Sequence, residues 1–131
     1  MYTCQKADEY IEKNRVDRAD KPEFHLTTPV GWLNDPNGFS IYGGKAHLFY
    51  QFHPYSTEWG PMHWGHSSSK DFIKWEELPT ALAPDSEFDS FGCFSGTAIE
   101  NDGKHVLFYT GVVEEKLADG TKNVIQNQCM A

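Results

Sequence analysis

One hairpin pattern occurs twice in this chain, and it limits the possible folds more than any other feature. Gly38-Phe39-Ser40-Ile41-Tyr42, a turn, and Lys45-Ala46-His47-Leu48-Phe49-Tyr50 return as Gly96-Thr97-Ala98-Ile99-Glu100, a turn, and Lys104-His105-Val106-Leu107-Phe108-Tyr109. Gly38 and Gly96 stand 58 residues apart, and Phe49 and Phe108 stand 59 apart, the extra residue falling in the turn. Both turns, Gly43-Gly44 and Asn101-Asp102-Gly103, have hairpin-forming composition. Two more strands are predicted between the hairpins, about Trp64 to Ser69 and Trp75 to Leu82. A hairpin with added strands, repeated at this period, is the pattern of propeller blades. The expected fold class is therefore all-β, about two blades over residues 24–131.

A short helix is expected ahead of the blades, in a leader over residues 1–23. From about Thr3 to Arg18 the chain is rich in charge, with Ala7, Tyr10 and Ile11 on one helical face. Lys21-Pro22 is the expected stop. At the other end, Asn123 to Ala131 reads as a strand with no turn or partner after it. Two blades cannot close a ring, and open sheet edges need cover. The expectation is a truncated propeller: the N-terminal part of a longer protein, or a chain completed by a partner.

The formal net charge of −8 argues against nucleic acid, because phosphate recognition rests on Lys and Arg. It argues equally against an anionic membrane surface. No apolar run is long enough to span a bilayer. Cys4, Cys93 and Cys129 are odd in number and far apart, which suits a cytoplasmic location better than a disulfide framework. Four Trp, nine Phe and six Tyr in 131 residues are enough both to fill a core and to line a groove.

Trp32-Leu33-Asn34-Asp35-Pro36-Asn37-Gly38 carries the chemistry. The residue before proline is driven into an extended conformation, so Asp35 stands on stiffened backbone. A carboxylate that attacks a carbon gains rate from such fixed placement. The same four residues, Asp-Pro-Asn-Gly, are also good type I turn material. A purely structural β-domain is therefore one reading of this segment.

Other groups read as structural. His63 and His66 are three apart on a strand and face opposite sides, which suits packing and hydrogen bonding. No Cys or His spacing fits zinc, and no metal or other cofactor is expected. Ser67-Ser68-Ser69 lacks the strained elbow of a hydrolase nucleophile. Trp64 and Trp75 read as blade core, and Trp59, after a Pro- and Ser-rich loop, as a rim residue. Asp85, Glu87 and Asp89 read as solvated loop carboxylates.

Taken together, Trp32-Leu33-Asn34-Asp35-Pro36-Asn37-Gly38, Phe49-Tyr50-Gln51, Trp59-Gly60, Trp64-Gly65-His66, Ser69-Lys70-Asp71 with Trp75, and Phe94-Ser95-Gly96 resemble glycoside hydrolase family 32 in their order. That family includes invertases, sucrose-6-phosphate hydrolases, levanases and inulinases. The resemblance implies the N-terminal blades of a five-bladed propeller with an axial, funnel-shaped site that hydrolyses terminal β-linked fructose with retention. By matching positions, Asp35 is the expected nucleophile. Trp32, Leu33, Asn34, Gln51, Trp59, Phe94 and Ser95 are the expected substrate contacts.

The family's Arg-Asp-Pro and Glu-Cys motifs, which carry the transition-state and acid/base carboxylates, do not occur in these residues. The expectation is that this polypeptide alone does not hydrolyse sucrose. The expected substrate of the whole protein is sucrose or sucrose 6-phosphate. The alternatives are an exo-acting fructanase on inulin or levan, and a non-catalytic propeller fragment that binds fructosides.

Overall fold

Left-handed turn residues set both hairpins. Gly43 and Gly44 adopt φ of 56° and 75°, and Asp102 and Gly103 adopt 50° and 74°. This is the pair of positive angles that matches a tight turn to the twist of its strands. The computed structural model describes residues 1–17, 19 and 21–131. After α1 (Cys4–Asn14), the strands are β1 (Trp32–Tyr42), β2 (Lys45–His53), β3 (His63–Ser69), β4 (Glu76–Leu82), β5 (Gly92–Asn101), β6 (Lys104–Lys116) and β7 (Lys122–Met130).

Every strand pairing is antiparallel, and the strands form two meanders, β1-β2-β3-β4 and β5-β6-β7. These are two propeller blades, and the main contact between them is β1 against β5. Phe49, Trp64, Leu82, Cys93, Leu107, Tyr109 and Cys129 make one core that draws on both sheets. At the seam, His47 Nε2 lies 3.2 Å from the Tyr42 carbonyl, which can only accept, so Nε2 carries the proton. Nδ1 of a neutral His47 then accepts from His66 Nε2 at 2.9 Å. His105, on β6, lies against His47 with ring centroids 5.0 Å apart.

The helix is shorter than the sequence predicts. It begins under a Thr3 cap, whose side chain accepts from the Lys6 amide. It ends at Asn14, because Arg15 turns extended and its guanidinium forms two 3.0 Å bonds to Glu77 on β4. Arg18, inside the predicted helix, lies outside the described residues. The helix nonetheless buries Ala7 and Ile11, and Asp8 Oδ1 accepts the Thr80 amide of β4. Ile11 joins Tyr50 and Phe52 in a second core cluster that also holds Leu26 and Val30.

Trp64 is fully buried, as a blade-core residue should be. Trp75 is not core. It precedes β4 and lines a cleft of about 460 Å³ with Phe24, His25 and Lys74. Leu78 and Leu82, further along β4, pair with β3 in its place.

Candidate active site

Proline at position 36 cannot donate a ladder hydrogen bond, so inside a strand it needs an edge or a bulge. β1 provides both. It is the edge strand of its sheet. Leu33 opposes Phe52 and Pro36 opposes Tyr50, three steps on β1 against two on β2. The surplus residue lies at Asn34-Asp35, opposite Gln51, and Asp35 is exposed. A bulge of this kind bends the strand and re-aims a side chain. β5, the edge strand beside it, has its own irregularity. Phe94 opposes Thr110 and Gly96 opposes Tyr109, which leaves Ser95 as the extra, exposed residue.

The structure brings the expected residues onto three strands, β1, β2 and β5, and one loop. Trp32, Leu33, Asn34 and Asp35 follow one another on β1, and Trp32 Nε1 donates to Asn34 Oδ1 at 2.8 Å. Leu33 is partly exposed. Gln51 is buried, and its Nε2 donates to the Cys93 carbonyl of β5 at 2.9 Å. Trp59, half-exposed on the loop between β2 and β3, stands perpendicular to Phe94 with centroids 6.1 Å apart.

Several residues near the site are not among the expected substrate contacts. Phe91 contacts both Trp59 and Phe94, at 5.9 and 6.2 Å between centroids, and completes an aromatic wall. Its place three residues before Phe94 was the available signal. Asn37 is buried, and its Oδ1 accepts the Gly96 amide at 3.3 Å. Trp64 Nε1 donates to the Phe94 carbonyl at 3.0 Å.

Asp85 and Glu87 are exposed, as expected. Asp89 is not a solvated loop carboxylate. It is 1% exposed and accepts from the Tyr109 hydroxyl at 2.8 Å and the Ser86 amide at 2.9 Å. Burial, and then the bond to Asp89, push the Tyr109 hydroxyl far above its usual range. Burial and the nearby Asp89 charge do the same to the Cys93 thiol, which opposes nucleophilic chemistry there.

His63 donates from Nδ1 to the Pro61 carbonyl at 3.0 Å, and burial holds its pKa down to about 4. His66 is also held to about 4, by burial and then by His47 and His105. Among the described residues, no group of three His, Cys, Asp or Glu side chains could hold a metal ion.

The arrangement offers an exposed carboxylate on rigid backbone, amides beside it and an aromatic wall. Such a set suits attack on a sugar held by hydroxyl hydrogen bonds and apolar faces.

Residues 25–131 match the family model described as the glycosyl hydrolases family 32 N-terminal domain. A sucrose-6-phosphate hydrolase of Zymomonas mobilis is 51% identical over 112 residues, covering 84% of this chain and 21% of that protein. A levanase of Bacillus subtilis is 48% identical over 111 residues, covering 85% and 16%. Among solved structures, a Bombyx mori β-fructofuranosidase superposes with a TM-score of 0.81 at 46% identity, covering 97% of this chain and 27% of that one. A mutant of the same silkworm enzyme is solved in complex with sucrose. The chain spans about a fifth of the length of the first of these curated relatives.

Proposed function

Because the chain belongs to glycoside hydrolase family 32, we propose that residues 24–131 form the first two blades of a retaining β-fructofuranosidase and that residues 1–23 are its leader. The substrate in this reading is sucrose or sucrose 6-phosphate. The observation that carries it is the β1 bulge, which presents Asp35 on the open edge of the strand that faces β5.

The chemistry has two steps. A carboxylate oxygen of Asp35 bonds to the anomeric carbon of the terminal fructose as the bond to the leaving oxygen breaks. That oxygen takes a proton from a second carboxyl group, which in retaining enzymes stands about 5 Å from the nucleophile's carboxyl group. Water then gives a proton to that second group, now a carboxylate, as its oxygen attacks the anomeric carbon and the bond to Asp35 breaks, which restores both carboxyl groups. The family's Arg-Asp-Pro and Glu-Cys motifs are absent from these 131 residues, so in this reading the acid and the transition-state carboxylate come from outside them. Trp32 holds Asn34 for a sugar hydroxyl, while Trp59, Phe94 and Leu33 supply apolar surface and Ser95 a hydroxyl. Three free cysteines, two of them buried, are in keeping with a cytoplasmic protein.

Levan or inulin is the second reading, favoured by the near-equal identity to a levanase. Fructose release by the full-length protein from sucrose, sucrose 6-phosphate and levan tests both. Hydrolysis of the first two, lost in Asp35→Asn, is expected. Activity that survives this change overturns the assignment. The 131-residue chain alone is expected to release no fructose.

A further inference from the structure

Ser95 is surrounded by an unusual set of bonds. Gln51 donates to the Cys93 carbonyl, Trp64 donates to the Phe94 carbonyl, and Asn37 accepts from the Gly96 amide. All three side chains belong to the first blade and are at most 4% exposed. They reach across to the backbone on both sides of the one residue that β5 pushes out of register. A bulge removes backbone groups from the ladder, and buried groups so released need partners. Here side chains of the neighbouring blade supply partners.

We propose that Asn37, Gln51 and Trp64 are positioning residues: as a three-point clamp on β5 they fix where Phe94 and Ser95 stand relative to Asp35. This rests on Asp35 as the nucleophile of a fructosidase. Asn37 lies two residues after Asp35 on β1, so a single strand carries both the attacking group and one jaw of the clamp. One Gln51 Nε2 hydrogen is bonded to protein, which leaves Oε1 and the second N–H for a sugar. Mispositioning reacting groups by fractions of an ångström lowers rate before it lowers affinity, so loss of a jaw should lower kcat more than it changes KM.

The test is a double-mutant cycle in the full-length protein with sucrose. Asn37→Leu removes the acceptor at similar volume and is expected to lower kcat/KM on the order of tenfold or more. In a Ser95→Ala background the same change should cost only about twofold, because the positioned hydroxyl is gone and only the apolar Phe94 contact is left to displace. Trp64→Phe, which removes the indole donor to the Phe94 carbonyl and no sugar contact, should show the same dependence on Ser95 and serves if Asn37→Leu does not fold.

Hydrogen exchange at the Gly96 amide is the second measurement, with faster exchange expected in Asn37→Leu. Penalties that multiply independently of Ser95, or an unchanged Gly96 amide, overturn the clamp. An inactive wild-type protein, or an active Asp35→Asn, breaks the proposed reaction instead, and the Gly96 measurement still decides the clamp.

Discussion

Gly38 and Gly96 occupy matching places in the two blades, yet each is required for a different reason. Gly38 takes φ of 52°, and a side chain there would meet the Phe49 ring at 2.9 Å. Gly96 has no such backbone angle, but a Cβ would run into the Phe108 carbonyl and the Tyr109 backbone. The matched tyrosines differ too. Tyr50 is buried in the apolar cluster with Ile11 and Phe52, whereas Tyr109 donates to the buried carboxylate of Asp89. At the same offset of 58 residues, Asp35 corresponds to Cys93. The first is exposed and the second is fully buried. The repeat sets the hairpin, and the neighbours decide what each position does. At this matched position the first blade presents a carboxylate to solvent and the second buries a thiol.

The largest contrast is catalytic. Asp35→Asn in the full-length protein is expected to lower fructose release on the order of 10⁴-fold. Asp89→Asn should weaken folding without a matching loss of rate per folded molecule, as read by kcat beside a denaturation curve.

The tyrosine pair gives the next effect. Tyr109→Phe leaves a buried carboxylate short of a donor and should cost about 2 kcal/mol, against about 1 kcal/mol for Tyr50→Phe. Urea midpoints with unchanged slopes would measure both. A larger cost at Tyr50 would reverse the comparison. Trp59→Ala, which removes the outer face of the aromatic wall, should raise KM on the order of tenfold with a smaller change in kcat.

The smallest effect is pH-dependent. His63 binds its proton at about 4 when folded against 6.5 as a free side chain, so the unfolded state takes up protons first as pH falls. Stability should therefore decline between about pH 6.5 and 4, by on the order of 1 kcal/mol at pH 5 from this residue. His66 acts in the same direction. At the alkaline end Tyr50, pushed up to about 12 from 10.0, favours the fold until the unfolded chain ionises, so stability falls again between those values. Thermal melts at stepped pH would check both limbs. A flat acid limb would remove His63 from the account.

The hairpins and their strands were legible because turn glycines and alternating apolar residues are local signals. All seven expected strands form, although β1 begins six residues before Gly38 and β6 runs seven past Tyr109, and Trp64 is core as expected. The helix end was not legible, since Arg15 leaves the helix for a partner, Glu77, far along the chain. Trp75 was misread because strand-like composition does not show where a strand starts. Asp89 sits in a polar run, Asp-Ser-Glu-Phe-Asp-Ser, and only the fold brings Tyr109 to it. The site itself was partly legible. Motif residues marked Asp35, Gln51 and Phe94, but the bulges at Asn34-Asp35 and Ser95 depend on register against a partner strand, which one strand's sequence does not contain. For the same reason Asn37 read as turn material and not as a contact between blades.

The central claim is that Asp35 attacks the sugar. Full-length protein mixed with an excess of substrate, quenched in acid and digested, should yield a fructosyl ester on the peptide that contains Asp35, seen by mass spectrometry. An ester on any other carboxylate, or fructose released with inverted configuration, would contradict the account.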